Sequence, residues 1–100
     1  MKTHRIEVTV DEGSIRVKPD TLIMTMNDDV QWAGTNARQF SVVFDNAGPF
    51  DASELGYARA VTRLKPNSRG HFKYTVVSSD DPALKLDPVI IVEDPPTEEP

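Results

Sequence analysis

Few residue types in this chain can do chemistry. His4 and His71 are its two histidines, Met24 and Met26 are thioethers of the same parity on one predicted strand, and there is no cysteine. Without cysteine, disulfides, thiolate metal sites and thiol nucleophiles are all excluded. The carboxylates fall into small groups: Asp28-Asp29, Asp45, and Asp80-Asp81 with Asp87. Adjacent acids of this kind usually form turns, because their side chains accept hydrogen bonds from nearby backbone N–H groups. A calcium loop needs several oxygen ligands and a glycine to bend it; residues 78 to 87 contain no glycine and read as a solvated acidic turn. No serine sits in a Gly-x-Ser-x-Gly elbow, and the five glycines are scattered through turns rather than gathered into a phosphate loop. Catalysis needs a nucleophile, a base and an orienting group in one place. The expectation is a protein that is no enzyme and carries no cofactor.

The elements that would position these residues are strands. Ile6, Val8 and Val10 alternate with Glu7 and Thr9, which gives an opening strand with one apolar face. Asp11-Glu12-Gly13 reverses it, and Ile15 and Val17 form a second strand that Pro19 ends by withholding a ladder donor. A third strand is expected over Thr21 to Met26 and a fourth over Val30 to Ala33, joined by the turn Asn27-Asp28-Asp29. Phe40, Val42 and Phe44 bury the even positions of a fifth strand. Asp51-Ala52-Ser53-Glu54 has the spacing of a helix-capping box, so one helical turn is expected near residues 51–56. Arg59 to Lys65 reads as an edge strand guarded by two arginines and a lysine.

Pro66-Asn67-Ser68-Arg69-Gly70 is a strong turn signal. It precedes a strand with Phe72, Tyr74 and Val76 inward, a loop from Ser78 to Asp87, and the nearly all-apolar closing strand Val89 to Val92. Parity separates the histidines: His4 shares a side with Ile6, whereas His71 lies opposite Phe72. Residues 1–93 are read as one domain and 94–100 as a disordered acidic, proline-rich tail. Seven or eight short strands and almost no helix argue for an all-β sandwich or small barrel.

Charge and length narrow the function classes. One hundred residues make a single domain, and 38% hydrophobic residues imply a lean core. Eleven Lys and Arg against sixteen Asp and Glu give a formal charge of -5 with no basic cluster, so nucleic acid is not an expected partner. No apolar run approaches the roughly 18 residues of a membrane helix, so no membrane insertion is expected. The opening residues enter strand-like alternation where a secretory apolar region would sit. As written the chain reads as cytoplasmic, or as periplasmic or secreted if a signal segment has been trimmed from its start.

The run from Pro19 to Trp32 resembles a cupredoxin phrase: a proline, an apolar pair, a turn and a Val-x-Trp strand. QFSVVFD, Gln39 to Asp45, resembles the plastocyanin segment that opens on a copper-binding histidine, and Gly70 to Ile91 resembles the final hairpin that carries the other ligands. The resemblance implies a cupredoxin-like, Greek-key β-sandwich. It puts the first copper histidine at Phe40, the cysteine near Val76, the second histidine near Ser79 and the axial methionine near Leu84. None of these four can serve a blue-copper site, which requires a thiolate, two imidazoles and a weak axial thioether. Phe40 and Val76 share the inward parity, so apolar side chains are expected to fill the vestigial pocket. Each large one contributes roughly 1.5 to 3 kcal/mol on burial.

The function implied is a non-catalytic, copper-free module that binds another protein or serves as a structural part. Pro49, Phe50, Leu55 and Tyr57 are the candidate docking residues if exposed; if buried, they cap the core. The alternative is a metal-handling protein that holds copper or zinc weakly through His4, His71, Met24 or Met26. Partner identity and oligomeric state are left open, including association through edge strands.

Overall fold

A computed structural model describes residues 2–36, 38–46 and 48–94. The chain opens with a hairpin. β1 (Thr3–Asp11) and β2 (Ser14–Lys18) are antiparallel, with Val8 opposite Val17 and Asp11 opposite Ser14. Gly13 turns them at φ 77°, where a Cβ would be strained. Ile6, Val8, Val10, Ile15 and Val17 all face inward. At Pro19 the chain leaves this sheet, and β3 (Thr21–Thr25) enters the second one beside β9 (Val89–Glu93), to which it runs parallel. β4 (Asp29–Gly34) returns to the first sheet, parallel to β1, and completes the order β2-β1-β4.

The larger sheet contains β5 (Phe40–Phe44), β6 (Glu54–Leu55), β7 (Gly70–Ser78) and β8 (Lys85–Leu86). Its order is β3-β9-β7-β5-β6, with β8 also paired to β7. β9 lies between β3 and β7, the central position expected of its apolar composition. The two sheets enclose a core in which Trp32, Tyr74, Phe40, Ile6, Met24, Leu55 and Ile90 are fully buried. Aromatic rings stack edge to face through it: Trp32 lies 5.6 Å from Tyr74 and 6.2 Å from Phe50, and Phe44 lies 5.8 Å from Phe50. Such pairs add about 0.5–1.5 kcal/mol to area burial. This is the all-β sandwich expected.

The segment from residue 45 to 65 departs from the sequence reading. Asp51 to Glu54 does not start a helix. The backbone N–H of Phe44 donates to the Ser53 carbonyl at 2.7 Å, and Leu55 pairs with Val42, so these residues add the short strand β6 to the edge of β5. The helical turn comes later, as α1 (Tyr57–Ala60), behind Gly56 and with no side-chain cap. That turn replaces the first half of the edge strand expected over Arg59 to Lys65, because Ala60 is buried against the core as a helix residue. Only Leu64 remains extended, bridged to Val30 by bonds of 2.9 and 2.8 Å. The expected Ser78 to Asp87 loop contains β8, which raises the strand count among the described residues to nine. Asp94, placed at the head of the tail, is held by Arg69 through both carboxylate oxygens, at 2.9 and 2.7 Å. The rest of the predicted tail, 95–100, lies outside the described residues.

Candidate functional site

β5 begins, β7 ends and the turn before β8 folds over at one end of the larger sheet. Phe40 opens β5 opposite Ser78, and Val76 lies two positions back along β7, opposite Val42. Even parity turns both Phe40 and Val76 into the sandwich, at 0% exposure. The surrounding loops are tied by backbone bonds: Ser79 N–H donates to the Gln39 carbonyl at 3.1 Å, and Ser78 N–H to the Leu84 carbonyl at 3.0 Å. Phe40, Val76, Ser79 and Leu84 thus gather on connected strand ends. Ser79 is exposed, and Leu84 packs half-buried against the core.

Tyr57 closes this end, a contact with Phe40 that no local pattern in the sequence signals. Its ring meets Phe40 edge to face at 5.2 Å, and its hydroxyl lies 3.6 Å from where a Cβ on Gly34 would stand. The site is a plug of hydrocarbon under a phenol. Copper needs lone pairs from sulfur or nitrogen, and neither Phe40 nor Val76 has one to give; the residues present do not fit the metal.

The other candidates are dispersed. Pro49, Phe50 and Leu55 are buried and Tyr57 is half-buried. Pro49, Phe50 and Leu55 therefore cap the core, with Tyr57 packed against it, so of the two alternatives for these residues the core cap holds and the exposed docking patch does not. Their apolar area gains more by covering Phe44 and Trp32 than by facing water. His4 and His71 stand on β1 and β7, in different sheets, and do not form a pair. Met24 is buried and Met26 packs against the core, so both thioethers serve packing. In the acidic turn, Asp81 accepts the Ala83 N–H at 3.1 Å and Asp87 accepts the Thr75 hydroxyl at 2.9 Å. Among the described residues, no three His, Asp or Glu side chains come together as a metal group would require.

Two polar features were not legible in the sequence as more than a turn and a core. Asp28 is buried, with 8% exposure, and its carboxylate is a hub. It accepts the Lys2 N–H at 3.1 Å and the Thr25 N–H at 3.0 Å, and its Oδ2 lies 3.0 Å from His4 Nε2. Burial pushes its pKa up, but the hydrogen bond and charge of His4 and the two backbone donors outweigh burial and bring it down to about 2. The second feature is the touching pair Trp32 and Tyr74. Burial drives the Tyr74 phenol well above its ordinary range, and the nearby Trp32 indole N–H offsets this only in part. The two groups nevertheless miss hydrogen-bond geometry, and neither finds a partner among the described residues.

With this geometry in view, likeness to solved structures identifies the fold. A Sinorhizobium pseudoazurin superposes with a TM-score of 0.61 at 16% identity, covering 95% of this chain and 76% of the pseudoazurin. A mutant amicyanin in its reduced Cu(I) form gives a TM-score of 0.52 at 18% identity, with coverages of 88% and 81%. A copper-containing nitrite reductase from Thermus scotoductus gives 0.54 at 22% identity, over 91% of this chain but only 23% of the reductase. No family model and no curated protein matches the chain. The fold is cupredoxin-like, on a chain without cysteine.

Proposed function

We propose that this protein is a copper-free cupredoxin-like module, without catalytic activity, that binds another protein or serves as a structural part. The observation that carries the reading is Phe40 and Val76, both at 0% exposure, in the positions the resemblance gives to a copper histidine and the copper cysteine. Ser79 and Leu84 stand at the other two vestigial positions. A thiolate is what makes a copper site blue, and this chain has none. Its interior at that point is packed for stability, which leaves the fold available as a rigid platform. With Pro49, Phe50 and Leu55 buried in the core, the surfaces such a module has left for a partner are its strand edges and outward sheet faces.

The test is copper uptake by the purified protein. Incubated with Cu(II) or with reductant and Cu(I), then desalted, it is expected to retain no stoichiometric metal by elemental analysis. One tightly held copper per chain would overturn the reading and favour a metal-handling role.

A further inference from the structure

We infer that the free edge of β3 is an interface that pairs with β3 of a second copy of this chain, antiparallel about a twofold axis at Leu22. This goes beyond the copper-free reading and stands on the sheet edges alone. Strands that end a sheet expose unpaired backbone groups, and proteins guard such edges with charge. Three of the edge strands here follow that rule, with Arg16 and Lys18 on β2, Glu54 on β6 and Lys85 on β8, and the β4 edge is covered where Val30 is bridged to Leu64. β3 does not. Its sequence, Thr-Leu-Ile-Met-Thr, has no charge and no proline, and Ile23 is the most exposed large hydrophobic residue described, at 57%.

The backbone of β3 also has the right groups free. Met26 N–H reaches the Glu93 carbonyl and Val89 N–H reaches the Asp20 carbonyl, so even-numbered residues of β3 face β9. The odd ones point the other way. Thr25 is already satisfied there: its N–H donates to the Asp28 carboxylate and its carbonyl accepts the Asp28 N–H. Thr21 and Ile23 have no partner among the described residues. Antiparallel pairing of Thr21 with Ile23 of the second copy, and of Ile23 with its Thr21, satisfies every N–H and C=O of both without disturbing Thr25.

Side chains and charge agree with this register. Ile23 lies beside Ile91, and Thr21 beside Val89, on the outward face. Pairing would extend that apolar row across the axis into the same row of the second copy. Each chain carries a formal charge of -5, so two copies repel one another, least where the surfaces that meet are uncharged. The paired stretch Thr21 to Ile23 carries no charge, the nearest carboxylate on that edge being Asp28 at Thr25, and added salt, by screening the charges around it, should strengthen the association.

Sedimentation equilibrium and amide exchange test this. The weight-average mass should rise from 11.1 kDa towards its double as concentration increases, and more readily at higher salt. The Ile23 amide should become more protected over the same range. Ile23→Lys should return the mass to the monomer while keeping the native circular dichroism, whereas Ala58→Lys, on the exposed side of α1, should leave association unchanged. A monomer at every concentration, an association that survives Ile23→Lys, a mass that climbs past two copies, or Ile23 exchange indifferent to concentration would each overturn the proposal. The exchange measurement uses the unaltered chain, so it decides the matter even if Ile23→Lys fails to fold.

Discussion

Asp28 ties three parts of the chain together with one carboxylate. It closes the turn that follows β3, holds the start of β1 through the Lys2 N–H, and fixes the His4 ring. Its pKa of about 2 makes it a stability element with a defined pH window. A carboxyl that titrates lower in the folded state than in the unfolded one stabilises the fold above its unfolded value, near 4. That contribution is lost as pH falls through the folded value, and a shift of this size corresponds to roughly 2 kcal/mol. Asp28→Asn is therefore expected to lower urea stability at neutral pH by about that much. It should also flatten the decline between about pH 4 and pH 2. Denaturation curves at several pH values check both, and an unchanged acid slope in the variant would discard the role assigned to Asp28. None of this was legible in the sequence. Asp28-Asp29 has the composition of any turn, and the partner His4 is 24 residues away with no periodic signal to link them.

At the scale of elements, legibility followed how local the deciding interactions are. Phe40, Val42 and Phe44 on β5, and Tyr74 and Val76 on β7, bury as their alternation predicted, because a period of two writes the inward face into the strand itself. β6 failed that test. Glu54-Leu55 is a strand only because β5 offers it a ladder, and the local capping-box spacing lost to that long-range pairing. α1 lies later than the capping-box spacing implies for the same reason: Ala60 and Tyr57 are drawn onto the core near Phe40. The tight seat of this segment gives a prediction. A Cβ on Gly48 would stand 2.6 to 2.9 Å from the Phe44 ring. Gly48→Ala is thus expected to cost about 1–3 kcal/mol through overpacking. The same substitution at Gly56, where a Cβ would meet nothing within 4 Å, should cost far less. Thermal melts of the two variants compare them directly. Equal losses would mean that the 45–57 segment does not cap the core as described.

Across the whole molecule, a cupredoxin-like sandwich of two sheets has an interior that is hydrocarbon at the end where Phe40 and Val76 lie. The fold was legible in the wording of Pro19 to Trp32, Gln39 to Asp45 and Gly70 to Ile91. So was the inward direction of Phe40 and Val76. Tyr57 as the lid over Phe40 was not, because no local pattern connects a helix residue to a strand 17 positions earlier; the contact exists only once β5 and α1 meet. Phe40, Val76, Ser79 and Leu84 are proposed to occupy the four places of a copper site without its donors. The most direct test restores those donors in one chain, Phe40→His, Val76→Cys, Ser79→His and Leu84→Met, and titrates it with Cu(II) beside the unaltered protein. The variant is expected to take up one copper with an intense thiolate-to-copper absorption while the unaltered chain shows none. A folded variant that gives no such band, or an unaltered chain that binds copper as tightly as the variant, would contradict the account.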